Sequence, residues 1–225
     1  MPNKDRNIPK RRFKAFENAD AWELRKLEDY LDVSLLKNKN NIYSKEDVLS
    51  VSGDFGIVNQ IKFQGRSFAG ASVTNYGVVE NGDIVYTKSP LKINPYGIIK
   101  TNKGKAGIVS TLYAVYKPKE ITDAQFVQDY FDKTIRLNNY LLPLVRKGAK
   151  NDMKVSAEDA LLGEVVFPSL QEQQKISNFF SQINLQITLH QRKLDKLKHV
   201  KQAYLSEMFP AEGERVPKRR FPGFT

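Results

Sequence analysis

The sequence contains no cysteine and only two histidines among its 225 residues. The missing cysteines exclude disulfide bonds, thiol catalysis and cysteine-ligated zinc sites. The two histidines, His190 and His199, lie nine residues apart in a stretch rich in leucine and lysine. That spacing matches no zinc-ligand pattern, and we therefore expect no metal site in this chain.

Long apolar runs are absent as well. No run approaches the ~20 residues that are needed to span a bilayer. The first residues, "MPNKDRNIPKRRFK", lack the apolar core of a signal peptide. These two absences favour a cytoplasmic protein without a membrane partner.

Negative charge is scarce relative to positive charge. The chain has 36 lysines and arginines against 25 aspartates and glutamates, which gives a formal net charge of +11 at pH 7. A surface this positive attracts polyanions, and nucleic acid is the first candidate. Acidic residues are missing altogether between Lys88 and Lys119, a window that contains seven lysines. The window predicts a surface that contacts phosphates.

Cationic and amide side chains on predicted loops extend this surface. They occur in "FQGR" at 63–66, "TKSP" at 87–90 and "RKGAKN" at 146–151. Lysine and arginine neutralise phosphates, while arginine, glutamine and asparagine also read base edges. The candidate DNA-binding residues are Lys62, Gln64, Arg66, Lys88, Lys92, Lys103, Lys105, Arg146, Lys147, Lys150 and Asn151.

Residues 22–167 have the pattern of an α+β domain. Runs of β-branched and aromatic residues, separated by turn residues, predict strands in "DFGIVNQIKF", "SVTNYGVV", "GDIVYT", "YGIIKTN" and "AGIVSTLYAVYK". "AWELRKLEDYL" before them and "DAQFVQDYFDKTIRLNNYLLPLV" after them predict helices, the second stopped or kinked near Pro143. We expect a mainly antiparallel, twisted sheet with flanking helices.

The residues after Pro168 predict one long helix, with Ser169 as its N-cap and Glu172 completing a capping box. A helix of about 38 residues would be ~57 Å long. Along it a heptad stripe recurs at steps of four and three residues: Ile176, Phe180, Ile183, Ile187, His190, Leu194, Leu197, Lys201, Tyr204 and Met208. The stripe predicts a coiled-coil homodimer. A helix that lies on its own domain is the alternative.

Two short strings suggest enzymes but lack the accompanying motifs. "NPYG" at 94–97 is one proline short of the Asn-Pro-Pro-aromatic motif with which amino-methyltransferases hold a flipped base. "SGDFG" at 52–56 contains the kinase triplet Asp-Phe-Gly without a catalytic-loop His-Arg-Asp. Both strings favour turns, and we expect no catalytic residue in this chain.

Residues 167–210 resemble the conserved helical region of specificity (S) subunits of type I restriction-modification systems. The matching positions are Pro168, Glu172, Gln173, Lys175, Ile176, Phe179, Phe180, Leu194, Leu197, Lys198, Met208, Phe209 and Pro210. The stretches "AWELRKL", "NGDIVYTKSP" and "GIVSTLYAVYK" resemble target-recognition domains of the same family. The resemblance therefore covers nearly the whole chain.

The resemblance implies a subunit that chooses the DNA sequence, while modification (M) subunits methylate adenine and a restriction (R) subunit cleaves with ATP. The methyl donor, ATP and Mg would be bound by those partners, so no cofactor is expected in this chain. Two alternatives stay open. One is a stand-alone nucleic-acid-binding adaptor whose helix binds another partner, and the other is a small methyltransferase built around Asn94, Pro95 and Tyr96.

The pentapeptide "PKRRF" occurs twice, at 9–13 and at 217–221. In the light of the resemblance, this repeat predicts half of an S subunit followed by the first residues of the next half. The expected parts are a basic arm at 1–16, a DNA target-recognition domain at 17–168, a spacer and dimerisation helix at 169–209 and a linker segment at 210–225. Two such halves would act as a head-to-tail dimer on a bipartite DNA site.

Overall fold

The computed structural model describes residues 7–88, 94–147 and 153–224. The chain divides into two compact units, and the boundary follows Ser177. In chain order the strands and helices are β1 Glu23–Lys26, β2 Leu31–Val33, β3 Leu49–Ser52, β4 Gly56–Asn59, α1 Gln60–Gln64, β5 Gly77–Val79, β6 Ile84–Thr87, β7 Ile99–Thr101, β8 Gly107–Val109, β9 Tyr113–Pro118, α2 Ala124–Phe131, α3 Thr134–Leu141, β10 Arg146–Lys147, β11 Met153–Lys154, β12 Glu164–Phe167 and α4 Leu170–Glu207. The predicted α+β class is confirmed.

Four antiparallel strands form the largest sheet of the first unit, in the order β2-β9-β6-β7. Because side chains alternate along a strand, the buried strand β6 contributes side chains to two hydrophobic clusters. Ile84 and Tyr86 join the cluster that contains residues of α2, α3 and β12. Val85 joins a second cluster with Leu49 and Val109. Both faces of this sheet are therefore covered.

Smaller antiparallel pairs complete the unit: β1 with β12, β3 with β4, β5 with β8 and β10 with β11. The pairing of β1 with β12 places Phe167 in the main core. Its ring lies 4.7 Å from that of Tyr30, 5.0 Å from Phe126 and 4.9 Å from Tyr130, measured between ring centroids. Such tilted and edge-on contacts are the preferred geometry of aromatic pairs.

The helix predicted for "AWELRKLEDYL" is wrong. That stretch forms β1, a 3₁₀ turn at Leu27–Asp29 and the start of β2. Its apolar spacing imitates a helix, but the backbone pairs with β12, which lies far away in the sequence. Such a pairing overrides local preference.

The second predicted helix is present but divided. It forms α2 and α3, with Asp132 and Lys133 between them, and a 3₁₀ turn at Leu142–Leu144 contains Pro143. The helical region thus ends at Leu144, and the sequence predicted a stop or kink near Pro143.

The long helix is confirmed as α4, with 38 residues. Its first two turns belong to the first unit, where Glu172, Gln173 and Ser177 are buried. The rest of α4 and the residues up to 224 form the second unit. Within that unit Arg219 pairs with Glu207 at 2.7 Å and lies 5.1 Å from the centre of the Tyr204 ring.

Candidate functional site

Three candidate DNA-binding residues lie together on α1 and the turn that follows it. Lys62, Gln64 and Arg66 are all exposed. The helix is short but firmly held, because the Asn59 side chain accepts a hydrogen bond from the Lys62 N–H at 3.1 Å and Gly65 ends it in a left-handed conformation. The structure thus presents these side chains to solvent on a fixed frame.

The folded structure brings carboxylates from other parts of the chain to the lysines of the acid-free window. Lys100 pairs with Asp132 at 3.2 Å, Lys117 with Asp83 at 2.9 Å, and Lys119 with Asp32 at 3.2 Å. All three carboxylates come from outside the window. Only part of the predicted charge is therefore free to contact phosphates.

Lys88, Lys103 and Lys105 belong to the same window and form no ion pair with any described residue. Lys103 and Lys105 are exposed, in the loop between β7 and β8. Lys88 follows β6 and is half-buried. Within the described part of the window, these three lysines are the cations without an ion pair, and all of them are among the residues predicted from the sequence.

Lys37 is a candidate that the sequence reasoning missed. Burial lowers the pKa of Lys88, and the nearby charge of Lys37 lowers it further, while Glu158 opposes the shift. Lys37 itself is exposed and forms a β-bridge with Gly77. Two neighbouring ammonium groups favour an anion between them. The available signal was the run "LKNKNN", in which lysines alternate with amides.

Two further predicted residues lie in a short strand. Arg146 and Lys147 form β10, which pairs with β11. Lys92, Lys150 and Asn151 lie outside the described residues. Their role in DNA binding stays a prediction.

The start of α4 is bound to the rest of the first unit by buried polar groups. Both Glu172 carboxylate oxygens accept hydrogen bonds from Arg12, at 2.8 Å from Nε and 2.6 Å from Nη2. Gln173 accepts from the Asp123 N–H at 3.0 Å and donates to the carbonyl groups of Ile121 and Pro168. The first copy of "PKRRF" thus contributes an arginine that holds α4.

Most of the heptad stripe is exposed. Ile176 packs against the main core of the first unit. From Phe180 onward, the stripe's large apolar side chains are exposed: Phe180, Ile183, Ile187, Leu194, Leu197 and Tyr204. His190 and Lys201 are exposed polar members, and Met208 is half-buried. The exposed part of the stripe therefore begins at Phe180.

The "NPYG" string forms a turn, as predicted. The Gly97 N–H donates to the Asn94 carbonyl at 3.0 Å, and Gly97 has φ +95°. A side chain at Gly97 would place its Cβ 1.8 Å from the Thr87 carbonyl oxygen, so only glycine fits. The Tyr96 carbonyl accepts a hydrogen bond from the buried Tyr86 hydroxyl at 2.6 Å.

A cleft of about 510 Å³ lies beside this turn, and Asn94, Asp54, Lys100 and Asp132 are among its lining residues. The Asn94 Oδ1 atom is buried without a partner among the described residues. Within the same residues, no group of three or more histidine or acidic side chains is placed to hold a metal ion. None of the described helices combines the length and apolar character needed to cross a bilayer.

Comparison with protein-family models gives no match. No curated protein matches the sequence either. Solved structures do show similarity. The HsdS subunit from Thermoanaerobacter tengcongensis is 17% identical, with a TM-score of 0.48, over 90% of this chain and 47% of that one.

Two further structures are similar at low identity. A chain from a structure of a type I restriction-modification system is 16% identical, with a TM-score of 0.49, over 83% of this chain and 45% of that one. The S subunit of a type I system from M. genitalium is 14% identical, with a TM-score of 0.43, over 88% of this chain and 48% of that one. The chain spans about half the length of these solved structures.

Proposed function

We propose that this chain is a DNA-binding specificity subunit that directs type I modification subunits, and through them a restriction subunit, to a bipartite DNA site. The observation that carries the proposal is a group of exposed cations in the first unit, Lys62, Arg66, Lys103 and Lys105, that form no ion pair with any residue the structure describes. Cations that are not engaged in ion pairs can displace the counterions of DNA phosphates. The resemblance of residues 167–210 to S subunits supports the same function.

Two segments of the chain have different roles in this function. Residues 17–168 recognise DNA, and residues 169–209 pair with a second copy of the chain through the heptad stripe. Methyl transfer and cleavage take place on the partner subunits, which bind the methyl donor, ATP and Mg. This chain then binds no cofactor of its own.

Salt-dependent DNA binding tests the proposal. The affinity of the whole chain for a duplex should fall as salt rises, and Lys103→Ala and Lys105→Ala should each lower the slope of log K against log salt by about one. Lys119→Ala is the matched control, because that ammonium already pairs with Asp32 and donates to the Glu28 carbonyl at 2.7 Å. Equal slopes for the parent, Lys103→Ala and Lys105→Ala would contradict the proposal.

Co-purification separates the proposal from a stand-alone adaptor. A tagged chain should retain a co-expressed type I modification subunit on an affinity column. Retention of DNA alone would favour the adaptor. Binding of a methyl donor by the isolated chain would instead favour the methyltransferase built around Asn94.

A further inference from the structure

Three exposed phenylalanines lie on the β3–β4 hairpin, on α1 and just after α1, and we call Phe55, Phe63 and Phe68 the aromatic patch. Their side chains are 67%, 44% and 57% exposed. The rings of Phe55 and Phe63 lie 5.3 Å apart between centroids and are tilted by 55°. Phenylalanine is normally buried in a core, so two exposed rings in contact, with a third exposed ring five residues after Phe63, mark a contact surface.

The patch is held in place by hydrogen bonds beneath it. Gln60 donates to the Ser50 hydroxyl at 3.1 Å and accepts from the Phe68 N–H at 2.7 Å. Asn59 caps α1 and donates to the Glu46 carbonyl at 2.6 Å. The rings are therefore presented on a fixed backbone, which lowers the entropy that binding would cost.

Two cations lie beside rings of the patch. The Arg66 guanidinium lies 4.6 Å from the centre of the Phe68 ring, and Lys62 precedes Phe63 on α1. The sequence has no acidic residue from Phe55 to Val79. Asp54, the neighbouring carboxylate, lines the cleft beside Asn94. Apolar rings among cations match a ligand with an apolar stack between two anionic strands, which is duplex DNA.

We propose that the aromatic patch inserts between base pairs of the bound duplex, with Phe55 as the leading wedge and Lys62 and Arg66 on the flanking phosphates. Apolar wedges of this kind unstack a base step and kink the duplex by 20–90°. The patch then reads DNA through its deformability, in addition to any contact with base edges. This inference rests on the proposed DNA binding.

The experiment uses the whole chain and a 30-base-pair duplex that the chain itself selects from a random library. The duplex carries 2-aminopurine at each adenine in turn, which reports unstacking, and a donor and acceptor dye at its ends, which report bending. The parent chain should raise the 2-aminopurine signal at one step and raise energy transfer between the ends. Phe55→Ala should remove both signals and weaken binding by about tenfold.

Two variants sharpen the test. Phe55→Leu should keep most of the bend, because aliphatic side chains also act as wedges. Phe224→Ala removes an equally exposed phenylalanine outside the patch and should behave as the parent. A melting curve for each variant confirms that it is folded.

The outcomes are distinct. A parent that binds the duplex without a 2-aminopurine or bending signal, or a folded Phe55→Ala that matches the parent, overturns the wedge and leaves the proposed function standing. A Phe55→Ala variant that keeps DNA binding and bending but loses the modification subunit shows a protein-docking patch, and also overturns the wedge. A parent that binds no duplex overturns the proposed function together with the wedge.

Discussion

The guanidinium of Arg12 is almost completely buried, and each of its nitrogens has a partner. Nε and Nη2 donate to Glu172, while Nη1 donates to the Ala19 carbonyl at 2.7 Å and Nη2 also donates to the Asp20 carbonyl at 2.9 Å. The two side chains are 7% and 2% exposed. The hydrogen bond that Arg12 donates to Glu172 raises the pKa of Arg12 above its ordinary value.

Arg12→Ala should lower the free energy of unfolding by about 3–5 kcal/mol, because it leaves the Glu172 carboxylate buried without a counter-charge. Arg12→Lys should recover only part of the loss, since one ammonium cannot replace the planar fork. Arg11→Ala, at the adjacent exposed position, should change stability by less than about 0.5 kcal/mol. Urea unfolding measures all three, and equal stability of Arg11→Ala and Arg12→Ala would contradict the role of the ion pair.

Asp129 on α2 has a carboxylate whose surroundings disfavour ionisation. Its Oδ1 accepts a hydrogen bond from Gln125 at 2.6 Å, but its Oδ2 is buried without a partner among the described residues. Burial raises the pKa of Asp129 to about 6, from an ordinary value of 3.8. The folded chain therefore binds this proton more tightly than the unfolded chain, and ionisation of Asp129 opposes folding.

Asp129→Asn should stabilise the chain at pH 7.5 by about 1–3 kcal/mol. The gain should shrink as the pH falls from 6 and vanish below about 4, where the carboxyl is protonated in both states. Asp195→Asn is the matched control, because Asp195 also accepts from a glutamine four residues earlier but is exposed. Thermal unfolding between pH 3.5 and 7.5 checks the prediction, and a gain that does not depend on pH would contradict it.

At the scale of elements, α4 shows what local pattern predicts well. Its length, its heptad spacing and its end before Pro210 follow from the sequence around them, and strands β5 to β9 follow from short β-branched runs bounded by turns. The predictions that failed did so because of contacts between residues that are far apart in the sequence. Strand β1 depends on β12, and three lysines of the acid-free window are paired with Asp32, Asp83 and Asp132.

The candidate site was predictable to a similar degree. The sequence predicted Gln64 and Arg66 in a loop and Lys62 in the strand "DFGIVNQIKF", whereas Lys62 and Gln64 belong to α1 and only Arg66 lies in the turn after it. The partnership of Arg12 with Glu172 joins positions 160 residues apart, so the sequence assigned Glu172 to a capping box instead. The proximity of Lys37 to Lys88 was likewise invisible, because no local period connects residues in different loops.

The exposed stripe on α4 carries a prediction for assembly. Leu197 lies on the stripe, and Leu185 lies on the opposite face of the same helix, yet both are 56% exposed. Leu197→Glu should dissociate the proposed dimer, because it would bury an unpaired charge in the interface between the two α4 stripes. Leu185→Glu should leave the dimer intact. Light scattering measures the mass, and the dimeric parent protein should have twice the 25.7 kDa mass of one chain.

Two results would contradict the proposed dimer interface along the α4 stripe. A parent that remains at 25.7 kDa at micromolar concentration has no dimer to dissociate. A dimer that Leu185→Glu dissociates and Leu197→Glu does not would use the other face of α4.

At the scale of the whole molecule, two identical chains most simply associate about a two-fold axis. A two-fold protein recognises a two-fold DNA site. The proposed dimer should therefore recognise two short inverted half-sites around several unspecified bases, with half-site centres about one helical turn, ~10 base pairs, apart.

A methylation map tests this symmetry. Adenine methylation should be mapped in cells that carry the chain with the proposed modification subunit and no other specificity chain. Cells with the modification subunit alone are the control. A contiguous or asymmetric motif would mean that the symmetric dimer is wrong.

The pairing of β1 with β12 also sets the time at which the first unit can close during synthesis. Glu23 lies opposite Phe167, so roughly 140 residues are made between the two strands, which takes about 7–28 s at 5–20 residues per second. For that interval the nascent chain has an unpaired β1 edge and a core that still lacks the Phe167 ring. The ribosome-bound chain is therefore most prone to aggregate just before β12 emerges, and slower translation lengthens the exposure.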